Sequence, residues 1–125
     1  MVLREGKPWF VFGVMGGDMQ PQGQVQVLIN LIDFGMNVQE AGEAPRFEHI
    51  GSATPTGKEA DKKGGTAKAE IGIPIAVIED LNRRGHHAVP VVRNGGGYQG
   101  LLIDPKTNML HGGSEYRTDG CAVGY

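Results

Sequence analysis

Residues 9–34 read WFVFGVMGGDMQPQGQVQVLINLIDF, and this stretch decides the fold. The run from Trp9 to Met15 is apolar at nearly every position, which predicts a β-strand buried between two layers. It stops at the pair Gly16-Gly17. Residues 22–34 then have apolar residues at helical spacing and predict a largely buried helix. Val25, Leu28, Ile29 and Ile32 have this spacing, and Val27, Leu31 and Phe34 widen the apolar arc, which leaves a polar stripe of Gln26, Asn30 and Asp33 only.

A second, short helix follows directly. Gly35 stands where a left-handed residue ends the first helix, and Asn37 with Glu40 has the spacing of a capping box. Because a residue before proline avoids the α region, this helix should end before Pro45.

The rest of the chain predicts one more helix among short strands. Residues 46–50 favour a strand, and residues 51–65 favour a flexible, solvated loop. Pro74 suits the first turn of a helix that ends at Gly85. That helix should turn Ile75, Ile78 and Leu81 inward. Strands are predicted at 88–92, 98–103 and 109–113. This element order indicates an α+β fold rather than a doubly wound parallel sheet.

Composition narrows the class of protein. At 125 residues one globular unit is expected, although 21 residues are glycine, more than twice the average usage of about 7%. Twelve basic and fourteen acidic residues leave a net charge of -2, so we expect no nucleic-acid partner. No apolar stretch has the length of a membrane helix. The single cysteine, Cys121, excludes an internal disulfide framework.

Most motifs that could carry chemistry lack their required context. Residues 95–100 read GGGYQG, but dinucleotide binding needs a helix directly afterwards, whereas residues 101–103 lead into an Asp-Pro turn. Close backbone packing or a bulge is therefore the better interpretation of these glycines. The four histidines show no metal-ligand spacing. Ser52 and Ser114 lack a recognisable basic partner, and nothing marks Cys121 as a nucleophile.

The pair Gly16-Gly17 allows two interpretations. Two successive glycines after a buried strand leave backbone N–H groups uncovered, which is suited to an anion or a developing oxyanion. A plain tight turn explains the same residues. The residues alone leave both open.

The order of short motifs along the chain is more specific than any one motif. From residue 12 to residue 47 the chain resembles the C-terminal region of the small subunit of the γ-glutamyltransferase (γ-glutamyltranspeptidase) family, and its closing strands agree. The matching stretches are residues 12–22, 25–28, 33–36, 40–41, 44–47, 84–86, 97–99, 103–105, 112–114 and 120–125. Only the low-complexity segment near residues 57–65 falls outside the resemblance.

The resemblance implies an N-terminal-nucleophile hydrolase, an αββα four-layer sandwich of which this chain is an α+β portion. In that family a precursor cleaves itself, and the new N-terminal Thr attacks a γ-glutamyl carbonyl with its own α-amine as base. The positions matching the family's oxyanion donors are Gly16 and Gly17. The resemblance also makes Gly16, Gly17 and Asp18 the expected substrate-binding residues. It implies no cofactor and no metal.

Two departures refine this expectation. The glutathione-cleaving branch has Ser-Pro before the glycines and Ser after them, whereas this chain has Val14-Met15 and Asp18. We therefore expect a γ-glutamyl-type small-molecule or peptide donor, without a commitment to glutathione. The chain begins at Met1, just before the glycine strand. The catalytic Thr, the N-terminal part of the small subunit and the large subunit are thus expected partners outside this chain, which alone should be inactive.

A different class of function is also open. The chain could be a stand-alone, non-catalytic oligomerising module that uses an apolar patch left uncovered in this part of the sandwich. The candidate patch consists of Trp9, Phe10, Phe12 and Ile32. Homo-oligomerisation is expected under both interpretations.

Overall fold

The computed structural model describes residues 1–53, 59–60 and 64–124. The chain divides into two compact units instead of the single one expected from its length: residues 1–44 with the segment from Gly95 onward, and Pro45–Asn94. The elements, in chain order, are β1 (Val2–Arg4), β2 (Lys7–Val14), α1 (Met19–Ile32), α2 (Val38–Glu43), β3 (Phe47–Ile50), β4 (Thr66–Glu70), α3 (Ile75–Arg83), β5 (Ala88–Val91), β6 (Tyr98–Ile103) and β7 (Leu110–Ser114).

The first unit is a four-stranded antiparallel sheet of order β1-β2-β6-β7 with α1 and α2 on one face. The strand predicted at 9–15 is extended by Lys7 and Pro8, because the chain turns earlier, at Glu5 and Gly6, both with positive φ. That turn pairs β2 with β1, a strand that the sequence did not predict.

The core of this unit lies between the sheet and the helices. Phe10, Val14 and Tyr98 are fully buried there with Val27 and Ala41. Within this chain β2 is buried on one face only, because Val11 on the opposite face is 41% exposed. The candidate patch is corrected: Phe10 belongs to the core, Trp9 and Phe12 are half-buried, and only Ile32 is well exposed.

The helix α1 is less buried than predicted, because only part of its wide apolar arc is covered. Val25, Ile29 and Ile32 are 55%, 41% and 58% exposed, whereas the helix buries Met19, Gly23, Val27 and Leu31. Gly23 explains the choice, since a Cβ there would lie 2.8 Å from Val14 Cγ1. The missing side chain lets the helix approach β2 on this face. An apolar face of α1 consequently remains uncovered in this unit.

The second helix confirms its sequence signals. The Asn37 side chain accepts hydrogen bonds from the N–H groups of Gln39 and Glu40, and the Glu40 carboxylate accepts one from the Asn37 N–H. The helix ends at Glu43, before Pro45 as predicted, and Gly35 has the expected positive φ.

The second unit is a three-stranded sheet of order β3-β4-β5, with β4 antiparallel to β3 and parallel to β5. Its small core contains Ala69, Ile78 and Ala88. Ile78 of α3 is buried as predicted, but Ile75 is 59% exposed. Pro74 caps α3 instead of standing in its first turn, and Gly85 has the positive φ of a helix stop.

A buried carboxylate joins the two ends of the second unit. The Glu70 carboxylate accepts hydrogen bonds from the N–H groups of Arg46 (2.8 Å) and Asn94 (2.7 Å). The Asn94 side chain also donates to the carbonyls of Arg46 and Lys68. Glu70 ends β4, which the sequence did not predict. The flexible loop predicted at 51–65 falls partly on residues 54–58 and 61–63, which lie outside the described residues.

Among the described residues, no helix combines the length and the apolar character needed to cross a membrane.

Candidate functional site

The candidate site is the turn between β2 and α1. Gly16 and Gly17 both have positive φ, at 120° and 59°, so side chains would be strained at either position. Their carbonyl oxygens accept hydrogen bonds from the N–H groups of Met19 (3.1 Å) and Gln20 (3.0 Å), which closes the turn onto the first residues of α1. The N–H groups of Gly16 and Gly17 donate to no described residue, and both residues are exposed. The turn therefore presents two available donors.

A second glycine segment, residues 95–97, packs against this turn. The Met15 N–H donates to the carbonyl of Gly97 at 3.0 Å. A Cβ on Gly16 would lie 2.8 Å from the Cα and N atoms of Gly96, and a Cβ on Gly96 would lie 2.6 Å from the Met15 carbonyl oxygen. Close backbone packing is thus confirmed at Gly96, whereas a Cβ on Gly95 would meet no atom within 4 Å and one on Gly97 would meet the Thr118 side chain. The strand β6 follows them, as expected.

Asp18 lies at the N-terminal end of α1. It occupies the N-cap position with helical backbone angles, and its carboxylate makes no capping hydrogen bond. Its backbone carbonyl accepts from the Gln22 side chain at 3.2 Å. The three predicted site residues, Gly16, Gly17 and Asp18, thus form one exposed turn, with two N–H donors and one carboxylate in sequence.

A buried polar network supports the strand that follows the glycine segment. Arg117 donates to the Glu115 carboxylate at 2.6 Å, with both side chains almost completely buried, and also to the carbonyls of Gly42 and Ala44. Glu115 accepts from the Tyr98 N–H at 3.2 Å, and the Tyr98 hydroxyl donates to the Val38 carbonyl at 2.8 Å. Burial raises the pKa of the Tyr98 phenol well above its ordinary value.

Sequence reasoning missed this network. Glu115 and Arg117 lie two residues apart in a polar tail, where ion pairs are usually exposed. Nothing in their spacing indicates burial. The triple glycine at 95–97 was the one sequence signal for the backbone packing against the turn at Gly16 and Gly17.

The remaining candidate groups lie elsewhere. Ser52 has a basic partner after all: its hydroxyl is 3.0 Å from His49 Nδ1, while His49 Nε2 is 2.8 Å from the Gly64 carbonyl. Both residues belong to the second unit, and the Ser52–His49 hydrogen bond joins residues three apart in a surface segment. Cys121 is free and exposed. Over the described residues, no group of three or more His, Cys, Asp or Glu side chains could hold a metal ion.

The other face of the first sheet is open. It carries a groove of about 580 Å³ lined by Val11, Leu101 and Leu110, by the glycine backbone of the neighbouring strands, and by residues 121–124. Val11 pairs with Leu101 in the register of β2 and β6, so the groove runs across the sheet. This face is apolar and accessible in the first unit.

Comparison with known proteins assigns the class and then the family. The structure resembles a cephalosporin acylase from Bacillus halodurans with a TM-score of 0.79 and 40% identity, over 94% of this chain and 20% of that one. It also resembles a T380A mutant of Helicobacter pylori gamma-glutamyltranspeptidase, with a TM-score of 0.74 and 28% identity, over 94% of this chain and 58% of that one. The fold is thus the predicted α+β portion of an N-terminal-nucleophile hydrolase sandwich.

The family model described as Gamma-glutamyltranspeptidase matches residues 1–125. The chain belongs to this family of enzymes, as its motifs had indicated. It is 34% identical over 123 residues to the acylase ACY 1 proenzyme of Pseudomonas sp. (strain SE83), covering 98% of this chain and 20% of that protein. It is 31% identical over 131 residues to the glutathione hydrolase-like YwrD proenzyme of Bacillus subtilis (strain 168), covering 99% of this chain and 23% of that protein. The chain therefore spans about a fifth of the length of these curated relatives.

Proposed function

We propose that residues 1–125 act as the C-terminal segment of the small subunit of a γ-glutamyltransferase-like enzyme, and that Gly16 and Gly17 supply the oxyanion donors. The observation that carries this proposal is the pair of available N–H groups on a turn whose carbonyls are engaged by α1. Donors fixed in this way before the reaction need no reorganisation when charge develops on a carbonyl oxygen.

The chemistry is acyl transfer. The hydroxyl oxygen of an N-terminal Thr, outside these residues, bonds to the acyl carbonyl carbon while the π electrons move onto the oxygen, which receives hydrogen bonds from Gly16 and Gly17. Collapse of this intermediate breaks the bond to the leaving amine, which takes the proton that the Thr gave up. Water or an acceptor amine then attacks the acyl-enzyme and releases the Thr.

The partner is the remainder of the same type of enzyme. The relatives are proenzymes of which this chain spans about a fifth, so most of the polypeptide that forms their sandwich lies outside the matched segment. The open apolar face of the first sheet is the kind of surface that such a neighbouring layer covers. We infer that the chain has no acyl-transfer activity by itself.

The test is complementation. The chain is co-expressed with the acylase ACY 1 proenzyme of Pseudomonas sp. (strain SE83) from which the matched segment has been deleted, and the acylase's own segment serves as the positive control. Proenzyme cleavage is followed by mass spectrometry, and turnover by release of aniline from γ-glutamyl and glutaryl anilides. We expect cleavage and turnover only with both polypeptides present. Turnover by the chain alone would contradict the proposal. So would the absence of turnover when the chain is co-expressed with the deleted proenzyme, provided that the acylase's own segment restores turnover.

One observation favours the alternative of a non-catalytic oligomerising module. The uncovered face of α1 is apolar, and Ile32 and Phe34 at its end are 58% and 69% exposed. Sedimentation equilibrium distinguishes the two functions. A homo-oligomer that persists when the complementing polypeptide is added supports the oligomerising module, whereas formation of a mixed complex supports the enzyme.

A further inference from the structure

A shallow depression, largely open to solvent, lies beside the glycine turn. It has a volume of about 280 Å³ and is lined by Met15, Gln20, Gln24 and Gln99, with the backbone of Gly13 and Gly97. We call it the glutamine pocket. Met15, which directly precedes Gly16, is one of its lining residues, whereas Gly16 and Gly17 themselves are not.

Two of its glutamines have amide groups without a partner in the described chain. Gln20 and Gln24 are four residues apart on α1 and therefore share a helix face. Neither side chain makes a hydrogen bond to a described residue. The nearby Gln22 differs, because its Nε2 donates to the Asp18 carbonyl.

The third glutamine is tethered to the neighbouring strand β7. Gln99 Nε2 donates to the Ser114 hydroxyl oxygen at 2.9 Å, and its Oε1 makes no hydrogen bond to a described residue. The pocket therefore combines one amide that is tethered to Ser114 with two amides that make no hydrogen bond to a described residue, and all three can donate or accept. Among the described residues that line it, no side chain carries a charge.

We propose that the glutamine pocket binds an uncharged carboxamide group. A carboxamide can donate to Gln99 Oε1 while its carbonyl accepts from Gln20 or Gln24, which satisfies both of its polar ends. A carboxylate or an ammonium group would enter without a countercharge and lose part of its hydration. The assignment of this group to the substrate, as an amide beside the scissile carbonyl, rests on the proposed function.

The binding test uses the full 125-residue chain and needs no turnover. Nitrogen-15 heteronuclear NMR spectra are recorded while N-acetylglycinamide, a neutral diamide, is added, and acetate and ethylammonium serve as charged probes. We expect saturable shifts of the Gln20, Gln24 and Gln99 side-chain amide signals with the diamide in the millimolar range. The charged probes should bind about tenfold more weakly, the effect of roughly one lost hydrogen bond.

Variants separate the pocket from general surface effects. Gln24→Leu and Gln20→Leu should each weaken diamide binding about tenfold, whereas Gln22→Leu on the same helix should leave it unchanged. Equal responses to the three probes, no saturation, or normal binding in Gln24→Leu with an intact spectrum would overturn the inference. Because this test measures binding and not turnover, a negative result would not change the interpretation of the complementation experiment. A failed complementation likewise leaves a measured diamide site in place.

Discussion

Gly16 and Gly96 pack backbone against backbone: a Cβ on Gly16 would lie 2.8 Å from both the Cα and the N atom of Gly96. The relationship is nearly reciprocal, because a Cβ on Gly96 would lie 2.6 Å from the carbonyl oxygen of Met15. Two residues with positive φ thus lock the turn after β2 to the segment before β6. The direction of the two available N–H groups depends on this contact.

The first prediction concerns stability at this contact. Gly96→Ala should lower the free energy of unfolding by about 2–4 kcal/mol, because strain at φ 97° adds to the overlap with the Met15 carbonyl. The matched control is Gly6→Ala, with φ 76° and open space around its Cβ, which should cost about 1–2 kcal/mol. Urea denaturation followed by circular dichroism measures both. Equal losses would show that the contact contributes nothing beyond backbone strain.

The second prediction tests which face of α1 is buried. Val27 is fully buried and Val25 is 55% exposed, only two residues away on the same helix. Val27→Ala should destabilise the chain by about 2–3 kcal/mol through lost apolar burial and a residual cavity. Val25→Ala should change stability by less than about 0.5 kcal/mol. Thermal unfolding of the two variants distinguishes them, and a larger loss for Val25→Ala than for Val27→Ala would contradict the buried face seen in the structure.

The third prediction concerns the buried ion pair. Arg117→Met should destabilise the chain by about 3–5 kcal/mol, since it leaves the Glu115 carboxylate buried without its partner. Adding Glu115→Gln to this variant should recover part of the loss, because the uncompensated charge is removed. Arg84→Met, which breaks an exposed pair with Asp80 at 2.6 Å, is the control and should cost no more than about 0.5 kcal/mol. Denaturant midpoints report all three, and a similar cost for Arg117→Met and Arg84→Met would contradict the role of burial.

Local signals explain which parts of the fold could be predicted. The capping box at Asn37 and Glu40 and the helix stops at Gly35 and Gly85 act through neighbouring backbone atoms, so the sequence contains the whole interaction. The strand β4 escaped prediction because Thr66–Glu70 consists largely of residues depleted in strands. It forms through pairing with β3 and β5 on its two sides, a tertiary effect.

The buried face of α1 and the surroundings of the site also depend on contacts between residues that are distant in sequence. Apolar residues surround most of that helix, so periodicity could not select the side that Gly23 brings against Val14. The turn at Gly16-Gly17 could be predicted as a turn, and the family resemblance supplied its proposed role. Its support by Gly96 and its neighbouring glutamine pocket required the fold, because residues 80 positions apart meet there.

The last prediction concerns catalysis in the complemented enzyme. Gly17→Ala meets no atom within 4 Å, so its effect arises from the backbone, where φ 59° is unfavourable for alanine. Relaxation of the turn should move the N–H donors away from the developing oxyanion and lower kcat about 100-fold, with KM little changed. Gly35→Ala is the matched control, with φ 67° and equally open surroundings at the end of α1, and should retain kcat. Steady-state kinetics on a γ-glutamyl anilide measures the difference, and equal kcat values for the two variants would contradict the prediction that catalysis depends on the geometry of the Gly17 turn.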